Sequence, residues 1–160
     1  MGGETEVPTR VLTNTFHVDA APEEVFEHLT TPESYIGLSP LVVAVRDVDR
    51  SEPGVVRYTS IERFRFLGLK YDNPIAVTLL TERLAEKLSV RGQVDSPGGV
   101  RMGYRFDLSP EADGTRVDDR LDLSAPWLVV GFAAGQARKV QLARARILAD
   151  RMAGRSTRGS

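Results

Sequence analysis

The sequence predicts an α+β domain in which an antiparallel sheet is closed by one long C-terminal helix. Three observations carry this. Six strand-like runs follow one another between residues 42 and 123 with turn-forming residues between them. Two of these runs alternate apolar and polar residues with a period of two, and beyond Pro126 there is no further proline to interrupt a helical spacing. At 160 residues and 41% hydrophobic content, the chain is long enough for one core and too short for two typical domains.

The elements follow in order. Residues 1–9 are polar and Gly-rich and residues 153–160 are small and basic, so both are expected to be disordered tails around one folded unit, residues 10–152. From Arg10 to Asp19, Leu12, Phe16 and Val18 alternate with Thr13, Thr15 and His17, the pattern of a half-buried strand. Pro22 then opens a short helix with Glu23 and Glu24 in its first turn, and Val25, Phe26 and Leu29 as its buried stripe. That stripe leaves His28 on the solvent side. Thr31-Pro32-Glu33 repeats the start signal for a second short helix carrying Tyr35.

Strands are expected at 42–48, 54–66, 71–81, 86–94, 99–108 and 115–123, and the hairpins that join them make the sheet antiparallel. Ser124 is a helix cap by type, and the helix should run from Pro126 to Met152, about 40 Å. Its inner stripe reads Val129, Phe132, Ala133, Gln136, Val140, Ala143 and Ile147, with Arg138, Arg144 and Arg151 off it. Gly131 and Gly135 would let the helix approach the sheet or leave room for a cavity. The first half of the helix carries no charge, so the Trp127, Leu128 and Val130 face should be a pocket entrance or a homodimer contact.

Composition excludes several function classes. There are 21 basic and 22 acidic residues, so no overall field favours nucleic acid or an anionic surface. The absence of cysteine removes disulfides, thiolate nucleophiles and thiolate metal sites, and two histidines are few for a metal or a Ser-His pair. No phosphate-binding glycine motif is present, so neither a metal nor another cofactor is expected. No stretch is apolar enough to span a bilayer, and no targeting segment is visible, which points to a cytoplasmic protein. Lysine occurs only at 70, 87 and 139, an arginine-heavy usage associated with GC-rich bacterial genomes.

The motifs add a resemblance. Phe16-His17-Val18-Asp19-Ala20-Ala21-Pro22-Glu23-Glu24-Val25-Phe26 resembles the first strand and helix start of the START-related, Bet v 1-like superfamily, including its polyketide-cyclase-like branch. Leu29-Thr30-Thr31-Pro32-Glu33-Ser34-Tyr35 is similar to the segment that follows, with Thr31 in place of the usual Asp and no tryptophan after it. The resemblance covers nearly the whole folded unit. It implies a helix-grip fold: a curved seven-stranded antiparallel sheet wrapped on a long C-terminal helix, with two short helices after the first strand. It also implies a cavity between sheet and helix that takes a small apolar, lipid- or polyketide-like molecule.

Candidate site residues are the polar groups on otherwise apolar faces. In the 54–66 strand, Val56, Tyr58, Ser60, Glu62, Phe64 and Phe66 share a face opposite Arg57, Thr59, Arg63 and Arg65. Asp119 shares a face with Val117, Leu121 and Leu123, and Tyr104 with Met102 and Phe106. A withdrawn carboxylate must be paired, solvated or protonated. A β-bulge before Glu62 or Asp119 would instead turn that residue outward toward the neighbouring arginines. The expected ligand-binding set is Tyr58, Ser60, Glu62, Phe64, Phe66, Met102, Tyr104, Phe106, Asp119, Phe132 and Gln136. Two functions compete: a carrier of a hydrophobic molecule, and a polyketide aromatase/cyclase-type enzyme using Glu62, Asp119 or Tyr104 in acid–base chemistry.

Overall fold

A computed structural model of the chain describes residues 7–84, 87–96 and 99–158, apart from the side chains of 64–66, 96 and 155–158. Strand β1 (Thr9–Val18) leads into helix α1 (Pro22–Leu29) and a single 3₁₀ turn (Pro32–Tyr35). Strands β2 (Val42–Asp49), β3 (Val55–Phe66), β4 (Leu69–Leu84), β5 (Lys87–Ser96), β6 (Val100–Glu111) and β7 (Gly114–Ser124) follow. Helix α2 (Val130–Arg158) ends the described chain. The sheet order is β1-β7-β6-β5-β4-β3-β2, antiparallel at every step, so β1 and β2 are its edges. This is the helix-grip architecture.

Register decides which residues face inward. The β3–β4 hairpin turns at Leu67-Gly68, both at positive φ, and pairs every residue from Val55↔Leu80 to Phe66↔Leu69 without a break. The irregularities fall instead on β2, where Val42↔Glu62 is followed by Ala44↔Ile61, so Val43 is the extra residue. Because the bulge lies on the edge strand, β3 keeps strict alternation. Val56, Tyr58 and Ser60 are buried and Glu62 stays on their face. The outer face is a solvated lattice of ion pairs between residues two apart, Arg116–Asp118 at 3.2 Å and Arg120–Asp122 at 3.2 Å, each worth ~1 kcal/mol or less.

Helix α2 lies across the concave face and is tied to the edge strand. Arg138 Nη1 donates to the Thr13 carbonyl at 2.8 Å and Gln141 Nε2 to the Leu12 carbonyl at 3.2 Å. Its C-terminal half enters the main core, where Leu148 and Met152 pack with Val25, Leu29, Leu38 and Phe106. Beneath its N-terminal half only alanines, Ala133, Ala134 and Ala137, reach the small second core of Leu121 and Leu123. Small side chains there cannot fill the hollow of the sheet.

Several expectations change. Ser124 ends β7 and caps nothing; residues 127–129 form a turn in which Val129 and Val130 both donate to the Pro126 carbonyl, and the helix begins at Val130. The helix also continues past Met152 to Arg158. The second short helix is one 3₁₀ turn, and its Thr31 hydroxyl turns back to the Glu27 carbonyl at 2.7 Å rather than capping it. His28 is buried, not exposed, because Arg151 folds over it, with Arg151 Nη1 3.2 Å from its Nε2. Gly131 and Gly135 face open space, so neither is needed for close packing.

Gly92 is needed for close packing. It pairs with Tyr104 across β5–β6, and a Cβ there would overlap the Tyr104 ring, which lies over the bare backbone. Gly92→Ala should therefore destabilise the fold by about 2 kcal/mol or more, read as a lowered midpoint in chemical denaturation.

Candidate functional site

Between the concave sheet and the N-terminal half of α2 lies an open cavity of about 550 Å³. This volume is in the range of small-molecule sites. Its walls are largely apolar: Ile75, Val77, Val94, Val100, Met102, Leu121 and Leu123 from the sheet, and Val129, Phe132, Ala133, Ala137 and Val140 from the helix. Tyr35, Ser39, Leu41, Val42, Tyr58, Ser60, Glu62, Asn73, Tyr104, Gln136 and Arg144 complete it. The polar members come from three different layers. β3 and β4 present Ser60, Glu62 and Asn73, the 3₁₀ turn presents Tyr35, and α2 presents Gln136 and Arg144.

Arg144 and Asp119 are the joint between helix and sheet. Arg144 is 5% exposed and Asp119 2%. Arg144 Nη2 donates to both carboxylate oxygens, at 3.1 Å and 3.4 Å. The guanidinium carbon stands 4.7 Å from the Phe106 ring centre and 5.5 Å from that of Tyr104, so the rings brace its plane. Nε is sealed from solvent and has no acceptor.

The tyrosines form a buried group around Tyr104. Tyr35 donates to the Leu29 carbonyl at 2.7 Å, and its ring centre is 6.5 Å from that of Tyr104. Burial raises the pKa of all three hydroxyls, and for Tyr35 and Tyr58 the neighbouring Tyr104 raises it further. All three remain protonated at neutral pH. Glu62 is pushed up by burial in the cavity wall, with no cation offsetting it.

The sequence-predicted residues divide accordingly. Tyr58, Ser60, Glu62, Met102, Tyr104, Phe132 and Gln136 line the cavity. Phe106 does not: it is fully buried beneath Arg144 as part of the core. Asp119 faces inward but is withdrawn behind its arginine and is absent from the cavity wall. The side chains of Phe64 and Phe66 lie outside the described residues. Arg144, expected off the inner stripe, is on it, because steps of four from Gln136 through Val140 lead to Arg144 and the Asp119 carboxylate neutralises it there. Tyr35 and Asn73 were also missed. The inward carboxylate of Asp119 was the available signal for Arg144, since such a group demands a cation on the facing element.

Just before and within the first turn of α2, Trp127 is 73% exposed, Leu128 76% and the cavity-lining Phe132 74%, so an exposed apolar rim adjoins in sequence the cavity-lining Val129 and Phe132. Val130 is 4% exposed and belongs to the packed side, not to that rim. Among the described residues no three His, Asp or Glu side chains gather as a metal site, and no helix is long and apolar enough to cross a membrane.

Residues 9–153 match the family described as polyketide cyclase / dehydrase and lipid transport. The chain belongs to this family. Among solved structures it is similar to the Zhui aromatase/cyclase from Streptomyces sp. R1128, at TM-score 0.74 and 13% identity, covering 93% of this chain and 96% of that one. A STAR-related lipid transfer protein from Xanthomonas axonopodis superposes at TM-score 0.65 with 17% identity, covering 90% and 88%. The di-domain aromatase/cyclase StfQ of the steffimycin pathway gives TM-score 0.70 and 10% identity over 93% of this chain, which spans only 52% of that protein. At these identities the likeness is one of fold. No curated protein matches the sequence.

Two outcomes follow from the geometry. Arg144→Met leaves the Asp119 carboxylate buried and unpaired, and should cost about 3–5 kcal/mol in denaturant unfolding, while Arg144→Met with Asp119→Leu should recover most of it. For Glu62, the folded pKa is raised, so the folded state holds its proton longer than the unfolded chain. Stability is then lost as pH rises from about 4.3 through the folded pKa. Glu62→Gln should flatten that part of the stability–pH curve and be the more stable protein at pH 7.

Proposed function

We propose that the chain binds and carries one small hydrophobic molecule, lipid- or polyketide-like, in the cavity between the sheet and α2. The observation that carries this is the cavity itself: a largely apolar space of about 550 Å³ left open beside the hydrophobic core. Family membership supports the reading, as do the few polar groups, which are enough to orient a ligand and too few to hydrate the space. Tyr58, Ser60, Glu62, Met102, Tyr104, Phe132 and Gln136 are the contacts we assign to the ligand. The exposed rim at Trp127 and Leu128 is assigned to its entrance. A contact between two copies of the chain is the other reading of that rim, and sedimentation of the free and loaded protein separates the two.

A second reading is favoured by one observation, the raised pKa of Glu62 within reach of the same cavity as three protonated tyrosine hydroxyls. A carboxyl whose pKa burial raises, beside an apolar substrate, is better matched to giving or taking a proton, as the cyclisation and dehydration of a poly-β-ketone require.

Titration with the neutral fluorophore N-phenyl-1-naphthylamine should show saturable, blue-shifted emission at one dye per chain. The absence of saturation would remove the binding reading. In a carrier, Glu62→Gln keeps the dye affinity within a few-fold. In an enzyme the same substitution preserves binding but lowers turnover of a poly-β-keto substrate by roughly 10²–10⁴-fold.

A further inference from the structure

We propose that Arg144 is the specificity-determining contact of the cavity, donating to a neutral carbonyl oxygen on the ligand, with Asp119 as the positioning residue that aims it. This rests on the binding reading above and names the chemistry that the site selects.

The argument starts from the donors of one guanidinium. Of the three nitrogens of Arg144, only Nη2 has an acceptor, and both of its bonds go to Asp119. Nε is buried without a partner, and Nη1 makes no hydrogen bond to any described residue. A guanidinium at 5% exposure with its Nε and Nη1 donors unused keeps a desolvation cost that the Asp119 carboxylate and the two rings offset only in part. The same side chain forms part of the cavity wall, and of its two unused nitrogens only Nη1 is not sealed from solvent, so Nη1 is the donor assigned to an acceptor placed in the cavity. The rings of Phe106 and Tyr104 fix the plane, and the carboxylate of Asp119 fixes the rotation, leaving little freedom to be lost on binding.

Charge then selects the kind of acceptor. Asp119 already neutralises Arg144, and Glu62 is a second carboxyl on the cavity wall. A carboxylate ligand would bring another negative charge into this apolar space with no unpaired cation to meet it. A ketone, ester or quinone oxygen accepts the free N–H without that penalty. Neutral oxygenated ligands are therefore preferred over both the bare hydrocarbon and the acid.

Fluorene, fluoren-9-one and fluorene-9-carboxylate share one three-ring frame and test this on the full chain. The ketone should bind roughly ten- to a hundredfold more tightly than the hydrocarbon, and the carboxylate no more tightly than the hydrocarbon. The infrared carbonyl stretch of bound fluorenone should fall below its position in dry alkane, a readout that needs no variant. In Arg144→Met with Asp119→Leu, which removes the pair together and avoids an orphaned carboxylate, the ketone preference should collapse and the stretch return toward the alkane value. Equal binding of ketone and hydrocarbon, an unshifted stretch, a preference that survives in the folded double variant, or tightest binding by the carboxylate would each overturn the assignment. In those cases binding persists and only Arg144's role is lost. If none of the three saturates the protein, the cavity reading falls with it.

Discussion

The Asp119–Arg144 pair is the interaction on which the rest of the structure depends. It joins the last strand to the terminal helix across the concave face, and both ends are almost wholly withdrawn from water. Such a pair has one rotation of the helix that satisfies it. With Arg144 turned toward β7, Gln136 and Val140 point into the hollow of the sheet, while Leu148 and Met152, further along, point down into the main core. The tethers from Arg138 and Gln141 to the carbonyls of β1 hold the same rotation from the other side. Losing either charge leaves the other buried, so the pair fixes the placement of the helix more than it adds net stability.

The helix divides its work along its length. The C-terminal half is bulky where it faces the sheet and makes a solid core with α1, whose Val25 and Leu29 pack against it. The N-terminal half offers Ala133, Gln136 and Ala137, whose alanines touch Leu121 and Leu123 at one side but are too small to fill the hollow of the sheet, and this leaves the cavity. Tyr104 sits at the boundary. Its ring lies over Gly92, edge-on to Phe106 at 5.6 Å and beneath the guanidinium, so the floor of the cavity and the roof of the core share one side chain. The polar groups gather at this boundary because a neutral hydroxyl network and a neutralised charge pair tolerate burial where an isolated charge does not.

Much of this was legible in the sequence. The order of strands, α1 with its Val25, Phe26 and Leu29 stripe, and the inward face of Tyr58, Ser60 and Glu62 follow from periodicity and turn chemistry, both local properties of the chain. The inward face of β3 held because the bulge fell at Val43 on the edge strand, where an extra residue costs only one ladder. The burial of His28 was not legible, and for Arg144 the helical step and the inward Asp119 were signals but the pairing itself was not. Each is a polar residue whose burial depends on a partner far along the chain, Arg151 for one and Asp119 for the other.

What the sequence determined by itself is therefore the set of elements, their faces and the family they belong to, since period, caps and turns act within a few residues. What the tertiary structure decided is which polar side chains meet. Phe106 and Tyr104 share a strand face, yet one is core and the other cavity wall. Val130 and Phe132 are two residues apart, yet one is packed and the other opens onto the cavity. Both distinctions come from the rotation and placement of α2 over the sheet, set by a charge pair between positions 119 and 144. No local pattern encodes a contact of that kind.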